Sequence, residues 1–508
     1  MIIPTVTGCK RHVVKLSLLL LMVSGKISLS AVYAQNLSDT IAQNSIKQSF
    51  STKTTVRTGR AASEVIGLNI GIWAFDRFAL NGDYAKITGE SFKNNLKHKF
   101  LWDNDNFDTN LFGHPYCGGL YFNAARSNGL NFWQSAPFAL GGSYLWEMFC
   151  EKQPPSLNDI IATPTGGIAL GEMTHRISQR IIDGSERGWG RFGRELLAGL
   201  ISPMDLLNRL LSGDAWRYSP RNGYEPFAET PLIINFSVFN RFMADLDENR
   251  NDMNPALGAG IVYGQPFAEE TRTPYDYFTG EIEVNIIGNQ PFLSTISIMG
   301  LIWGKEWQKN GNNWLAGVFQ HYDYYNSTPV ISGGKIPYQF AETASFGGGL
   351  LFRKQIDKNS LNGSLYANLI LLGANESDYF YLDSRNYNIG NGYSIKSSGT
   401  YSFGKQWDNT FGFKLYHIFT SRGYGSADAE INGLPESTNP DYANVQGNRG
   451  NTLLGMIRLN VGFQLSRQIR LSAEQRFYFR NSHYDYLPDV STRSTENRIK
   501  ITYNFFDK

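Results

Sequence analysis

Residues 469–480 read IRLSAEQRFYFR. Ile469, Leu471, Ala473, Phe477 and Phe479 fall on one side of an extended chain. Arg470, Ser472, Glu474, Arg476, Tyr478 and Arg480 fall on the other. A period of two marks a β-strand with one apolar and one polar face. The final stretch repeats it, with Ile499, Ile501, Tyr503 and Phe505 against Arg498, Lys500, Thr502 and Asn504. So does 453–465, where Leu453, Ile457, Leu459, Val461, Phe463 and Leu465 oppose Arg458, Asn460 and Gln464.

Working back from there, further alternating stretches lie near 232–240, 257–264, 277–287, 293–304, 313–325, 341–354, 361–373, 390–404 and 407–419. Together they make about twelve strands, an even number of the length usual for bacterial outer-membrane barrels. Polar turns separate them, as at 310–313 and 357–362, and longer inserts at Gly423–Gly450 and Asn481–Thr495 read as loops on the outer side. A soluble β-sandwich would also alternate. Long strands, an arginine-rich polar face and aromatics near strand ends (Tyr322, Tyr324, Tyr325; Tyr379, Phe380, Tyr381) favour the barrel. An aromatic closing the last strand resembles the signal read by the outer-membrane insertion machinery. Here Phe505 and Phe506 are displaced from the end by Asp507 and Lys508.

Composition agrees. The 508 residues include 51 Gly, 27 Tyr and 33 Phe but only 18% charged residues, and the mean hydropathy of −0.31 excludes a polytopic helical membrane protein. A membrane barrel needs apolar residues only at alternate positions. A net charge of +2 gives no basic excess for a nucleic-acid partner. Residues 1–34 read as a secretory signal: Lys10, Arg11, His12 and Lys15, an apolar run from Leu16 to Val23, and Val32-Tyr33-Ala34 before a cut at Gln35. Residues 35–60 read as a flexible leader. The address implied is the cell outer membrane, with its lipids as partners and the oligomeric state open. Cys117 and Cys150 remain in the mature chain as either a disulfide or two buried thiols.

Residues 61–222 have a different texture and read as a small helical domain, ahead of a barrel over 229–508; the fold class is α+β. A helix is expected around Val65 to Leu80, with Gly67 and Gly71 allowing close helix contact. Others are expected over 118–128 after an HPY turn, over 132–151, and from Ser156, where S-x-x-D is a capping box. Gly167 and Gly171 form a second small-residue face. Ser202-Pro203-Met204-Asp205 repeats the capping pattern before an apolar stripe that stops at Gly213.

This domain concentrates polar groups. Ser143, Glu147 and Glu151 recur every four residues, Glu172 and Arg176 are four apart, and Asp103, Asp105, His114, Asn123, Arg126, Asn158 and Asp159 lie nearby. As a site, His114 with Ser143, Glu147 and Asp159 would be the catalytic candidates, an acid/base or metal constellation. As structure, Arg126 and Arg176 would neutralise Glu147, Glu172 or Asp159 between helices. No zinc pattern, nucleophile elbow or phosphate loop is present, so no metal site or cofactor is expected. In the barrel, Arg458, Arg470, Arg476, Arg480, Arg498 and Lys500 fall on the lumen face with Glu281 and Glu283, either mutually paired or as a basic wall that attracts anions. His321 and Asp323 share a face with Leu315 and Phe319.

The stretch HPYCGGLYFNAARSNG…GSYLWE…PPSLNDIIATPTGGIALGE resembles the bacterial domain of unknown function numbered 3943. The matching residues are Asp105, Asn110, His114, Pro115, Gly118, Tyr121, Asn123, Arg126, Gly129, Ser143, Trp146, Glu147, Ser156, Asp159, Gly167, Gly171 and Glu172. The resemblance implies an exported Gram-negative protein with a barrel-like region after the domain, and supplies no reaction. A shorter likeness to VanZ-like helical proteins carries no residue roles. The expectation is an uncharacterised outer-membrane protein that handles an anionic solute or lipid without catalysis, its helical module at or in the barrel. The rivals are a lipid- or cell-wall-modifying enzyme using His114, Glu147 and Asp159, and a structural partner in an envelope complex.

Overall fold

The computed structural model describes residues 55–103, 105–218, 230–246, 250–267, 273–330, 334–381, 385–423 and 445–506. The signal at 1–34, most of the leader and the middle of the Gly423–Gly450 insert lie outside them.

Twelve antiparallel strands close into a barrel in which each strand pairs with its sequence neighbours and the first with the last. They are β1 (Leu232–Asp245), β2 (Arg250–Tyr263), β3 (Phe278–Asn285), β4 (Leu293–Lys309), β5 (Asn312–Asn326) and β6 (Gln339–Ile356). The circuit continues with β7 (Asn359–Glu376), β8 (Tyr387–Phe403), β9 (Trp407–Thr420), β10 (Gly450–Gln464), β11 (Ile469–Tyr484) and β12 (Val490–Phe506). All twelve alternating stretches are strands. The expected loop at 481–495 shrinks to 485–489, because alternation continues through Ser482 and Tyr484 and resumes at Thr492.

The two ends of the barrel differ. Four tight turns, such as Asn310-Gly311 with both residues at positive φ, share one rim with the start of β1 and the end of β12. The connections at 286–292, 327–338, 377–386 and 421–449 share the other. Exposed aromatics lie toward both rims: Trp303, Trp307, Phe403, Trp407, Tyr503 and Phe505 by the turns, and Phe242, Tyr393, Phe419 and Tyr486 by the opposite rim. Between the rims, Val238, Leu369, Val461, Ile499 and Ile501 point outward and are exposed.

The lumen is filled. Arg241 meets Glu496 at 2.6 Å, Arg498 meets Glu496 at 2.7 Å and Glu283 at 2.5 Å, and Arg476 meets Glu474 at 2.7 Å and Glu283 at 3.1 Å. Arg458 and Lys500 add contacts to Glu474 at 2.7 and 3.3 Å. Beside this network Asp323 takes Lys396 at 2.7 Å and Lys414 at 3.2 Å. Tyr325, Tyr338, Phe340, Tyr416 and Tyr478 pack on its loop side, and Leu301, Leu315, Phe319 and Leu351 on its turn side. Charges taken this far from water require such pairing.

Seven α-helices are described before the barrel: α1 (Thr58–Ala74), α2 (Gly89–Lys97), α3 (His114–Ser127), α4 (Phe132–Phe149), α5 (Leu157–Ile181), α6 (Gly188–Ile201) and α7 (Pro203–Ser212). The HPY residues are the first turn of α3, where Pro115 forgoes an N–H that the helix does not use. Ser156 caps α5 by accepting from the Asp159 amide at 3.3 Å, and Gly213, at φ +77°, stops α7. Ser202 makes no cap; its hydroxyl accepts from Asn123 at 3.3 Å instead. Helices α2 and α6 escaped the sequence reading. In α6 three early glycines and an N-terminus without a side-chain cap mask the helix.

Helices α3 and α5 cross at Gly118 and Gly167, where a Cβ on Gly118 would lie 1.8 Å from the Thr163 carbonyl. Gly67 and Gly71 make no such contact: a Cβ at either meets nothing within 4 Å. Cys117 and Cys150 are free thiols.

The helical domain is neither a plug nor a cap on the turn rim. It packs on the outside of the barrel wall. On β5, Asp323 and Tyr325 face the lumen, whereas Gln320, Tyr322, Tyr324 and Asn326 face outward and hold the helices. Tyr322 donates to the Leu111 carbonyl at 2.5 Å and Gln320 to the Thr165 carbonyl at 2.8 Å. Gly280, outward on β3 between lumen-facing Thr279 and Glu281, abuts Met173 of α5. The small outward residues Ala341 and Ala344 of β6 and Ala374 of β7 share a buried core with Leu111, Phe122 and Ala169. Tyr322 and Tyr324 are therefore buried docking residues, not members of an aromatic girdle.

Candidate functional site

Helix α5 runs along the wall. Near its C-terminal end, Arg176 reaches Asp276 at 3.1 Å and the Pro274 carbonyl at 2.7 Å, in the β2–β3 connection on the turn rim. The segment leading to α3 lies by the opposite rim, where Asp108 accepts from Asn326 at 2.8 Å and Arg385 donates to the Asp103 carbonyl at 3.0 Å. The two ends of the domain use their polar residues differently.

At the turn-rim end, Glu172 is fully buried and takes Arg126 at 2.6 Å and Arg176 at 2.7 Å. Burial would raise its carboxyl, but the two guanidinium groups overcome that and hold it at about 2. Both arginines expected to neutralise helical carboxylates thus converge on Glu172, and neither reaches Glu147 or Asp159. This is a structural clamp tying α3 and α5 to each other and to the barrel.

At the loop-rim end the carboxylates meet an imidazole. His114, at the start of α3, places Nε2 3.4 Å from Asp159 and 3.7 Å from Asp105. Asp103 Oδ1 accepts from Asn110 at 2.8 Å, from Asn158 at 2.9 Å and from the Asp105 amide at 3.3 Å. Asn158 also donates to Asp159 at 3.0 Å. Glu147 turns the other way and accepts from the Ser156 amide at 2.6 Å. Ser143 donates to the Asp159 carbonyl at 3.2 Å, which ties its hydroxyl to backbone. Glu151, just beyond α4, accepts from Trp146 at 2.7 Å.

Of the catalytic candidates, then, His114 and Asp159 come together while Ser143 and Glu147 support the fold around them. Sequence reasoning left Asn110 out of the site and gave Asp103 and Asp105 no role. The density of acids in Trp102 to Asp108 was the available signal.

The electrostatics follow from this crowding. Burial and the Asp103 and Glu147 charges push the Asp159 carboxyl well up. Burial and Glu151 do the same for Glu147. Glu151 rises to about 7 through burial and Asp105. Burial works to lower the His114 imidazole, and Asp105 beside it more than reverses that. Asp103, Asp105, Glu147, Glu151 and Asp159 crowd around the His114 imidazole, and the half-exposed Asp105 connects the group to solvent.

The lumen arginines are committed. Besides Arg476, Arg470 pairs with Asp408 at 2.9 Å, and Arg480 pairs with Asp378 at 2.6 Å and Glu376 at 3.2 Å. His321 and Asp323 share one face of β5, and that face is the lumen, with Asp323 in the lysine contacts described above.

Residues 99–204 match a family described as Domain of unknown function (DUF3943). No curated protein matches the chain. Among solved structures, the NanC porin aligns at 9% identity over 52% of this chain and 98% of that one, with a TM-score of 0.25. OmpT, an outer membrane protein of Vibrio cholerae, aligns at 9% identity over 54% and 98%, with a TM-score of 0.24. The outer membrane channel DcaP of Acinetobacter baumannii aligns at 10% over 55% and 96%, with a TM-score of 0.21.

Proposed function

We propose that this chain is an outer-membrane protein whose barrel is a sealed anchor, and that its DUF3943 module, clamped to the outer wall, is the part that meets envelope lipid or glycan. The observation that carries this reading is the complete burial of Arg241, Arg476 and Arg498 inside the lumen. They are paired with Glu283, Glu474 and Glu496, which commits their charge inside the wall instead of offering it to a passing anion. The exposed apolar band and the turn-rim aromatics support a bilayer around the free part of the wall. After detergent extraction the folded chain should run at a different gel position from the boiled chain, and it should be silent in a planar bilayer. Steady unitary conductance would overturn the sealed-anchor reading, and an aqueous-soluble monomer would overturn the membrane reading.

A second reading, chemistry on a lipid or cell-wall substrate, is favoured by the His114 pocket, where an imidazole sits between Asp105 and Asp159 with an opening to solvent. A His114→Ala chain that folds normally but abolishes an envelope lipid or glycan change would support it. An unchanged envelope would count against it.

A further inference from the structure

The pocket at the loop-rim end has the composition of a cation site. Carboxylate oxygens of Asp103 and Asp105 and an imidazole nitrogen of His114 all lie within 4.8 Å of one another. Donors that each stand about 2.1 Å from one ion are roughly 3.0–3.4 Å from one another, so the three side chains must draw in around it. Asp103 is already oriented, because its Oδ1 holds three hydrogen bonds from Asn110, Asn158 and the Asp105 amide, leaving Oδ2 for an ion. Such outer hydrogen bonds are what aim a metal ligand.

Two further observations point to a missing partner. His114 Nε2 is buried and forms no close hydrogen bond, its nearest acceptors being Asp159 at 3.4 Å and Asp105 at 3.7 Å. Asn110, 1% exposed, gives its amide nitrogen to Asp103 and to Tyr387, yet its own Oδ1 accepts nothing. A buried polar atom left in that state is costly. The Asn110 carbonyl oxygen is an acceptor, and the His114 ring nitrogen becomes one when its proton leaves to solvent; a cation then takes both while offsetting the negative charge of Asp103 and Asp105.

We propose that Asp103, Asp105 and His114, with the Asn110 side-chain oxygen adjoining, bind one divalent cation of the Mn2+ or Zn2+ kind. Oxygen donors with a single imidazole suit such ions better than thiolate-seeking ones. The half-exposed Asp105 is the side from which the ion and a substrate oxygen would enter. The inference takes the pocket of the second reading as a site but needs no knowledge of its reaction.

The test uses the full folded chain in detergent, stripped with a chelator and titrated with Mn2+ alone. Electron paramagnetic resonance counts bound ions, and pulsed measurement detects a coordinated nitrogen. One ion per chain with a nitrogen coupling is expected. His114→Ala should remove the coupling, and Asp105→Asn should weaken binding at least about tenfold while leaving heat-modifiable migration intact. Since Asp105 is half-exposed, that second variant keeps the test open if His114→Ala misfolds. Absence of stoichiometric Mn2+ binding by the folded wild type, or unchanged binding and coupling in His114→Ala, overturns the proposal. Neither result bears on conductance, and binding without any envelope change would separate the metal site from the enzymatic reading.

Discussion

Arg476 in β11 lies 3.1 Å from Glu283 in β3, although β12, β1 and β2 stand between those strands around the wall. A contact across the circuit exists only when the lumen has closed on itself. Removing one partner strands the others: Arg476→Ala should cost about 3–5 kcal/mol, the usual penalty for an orphaned buried charge. Arg476→Met combined with Glu283→Gln should cost less than the two single changes together. The midpoint of thermal loss of the fast-migrating gel form measures both.

The α3–α5 crossing permits a sharper comparison. Gly118→Ala drives its methyl into the Thr163 carbonyl and should destabilise at or above the upper end of the roughly 1–3 kcal/mol seen for overpacking. Gly141→Ala in α4, where the methyl meets nothing within 4 Å, should stabilise by about 0.5–1 kcal/mol through helix propensity. Chemical denaturation of the two variants side by side tests the pair.

Exterior docking can be trapped covalently. In a chain lacking Cys117 and Cys150, Met173→Cys with Gly280→Cys should be joined by a short bis-maleimide cross-linker, since a Cβ at Gly280 lies 2.9 Å from the Met173 sulfur. Met173→Cys with Thr279→Cys should not, because alternation turns residue 279 into the lumen. Gels after limited proteolysis distinguish the two. Equal cross-linking of both pairs would refute the placement of α5 outside the wall.

Glu172 gives the domain a defined acid response. Its folded carboxyl is held at about 2, against an ordinary value of 4.5. A depressed carboxyl contributes stability that is fully present above its unfolded value and is lost as pH falls through the folded one. The window therefore runs from about pH 4.5 down to about 2, and the shift corresponds to about 3 kcal/mol. Glu172→Gln should flatten the stability curve in that window while lowering stability at neutral pH, as read by denaturation at stepped pH.

The barrel was legible because a strand's side-chain period is a local property. Ile469–Arg480, 453–465 and the last strand each declare two faces without reference to any other residue, and twelve such stretches imply closure. The same alternation placed Arg458, Arg476, Arg498, Glu281 and Glu283 on the lumen side. Individual helix ends were less legible: Ser156 caps as its motif suggests, while Ser202, with a similar motif, spends its hydroxyl on Asn123.

Sequence by itself thus determined the strand count, the inward and outward faces and the acid-rich helical module ahead of them. Only the tertiary structure decided that the lumen arginines are matched by carboxylates rather than left to attract anions, because pairing joins strands distant in sequence. It alone put the module on the outer wall, through Gln320, Tyr322 and Asn326, whose outward polar atoms look misplaced until helices cover them. It likewise divided the module's polar residues, drawing Arg126 and Arg176 to Glu172 and leaving His114 among Asp103, Asp105 and Asp159. Charge compensation depends on distance in space, and no spacing along the chain encodes it.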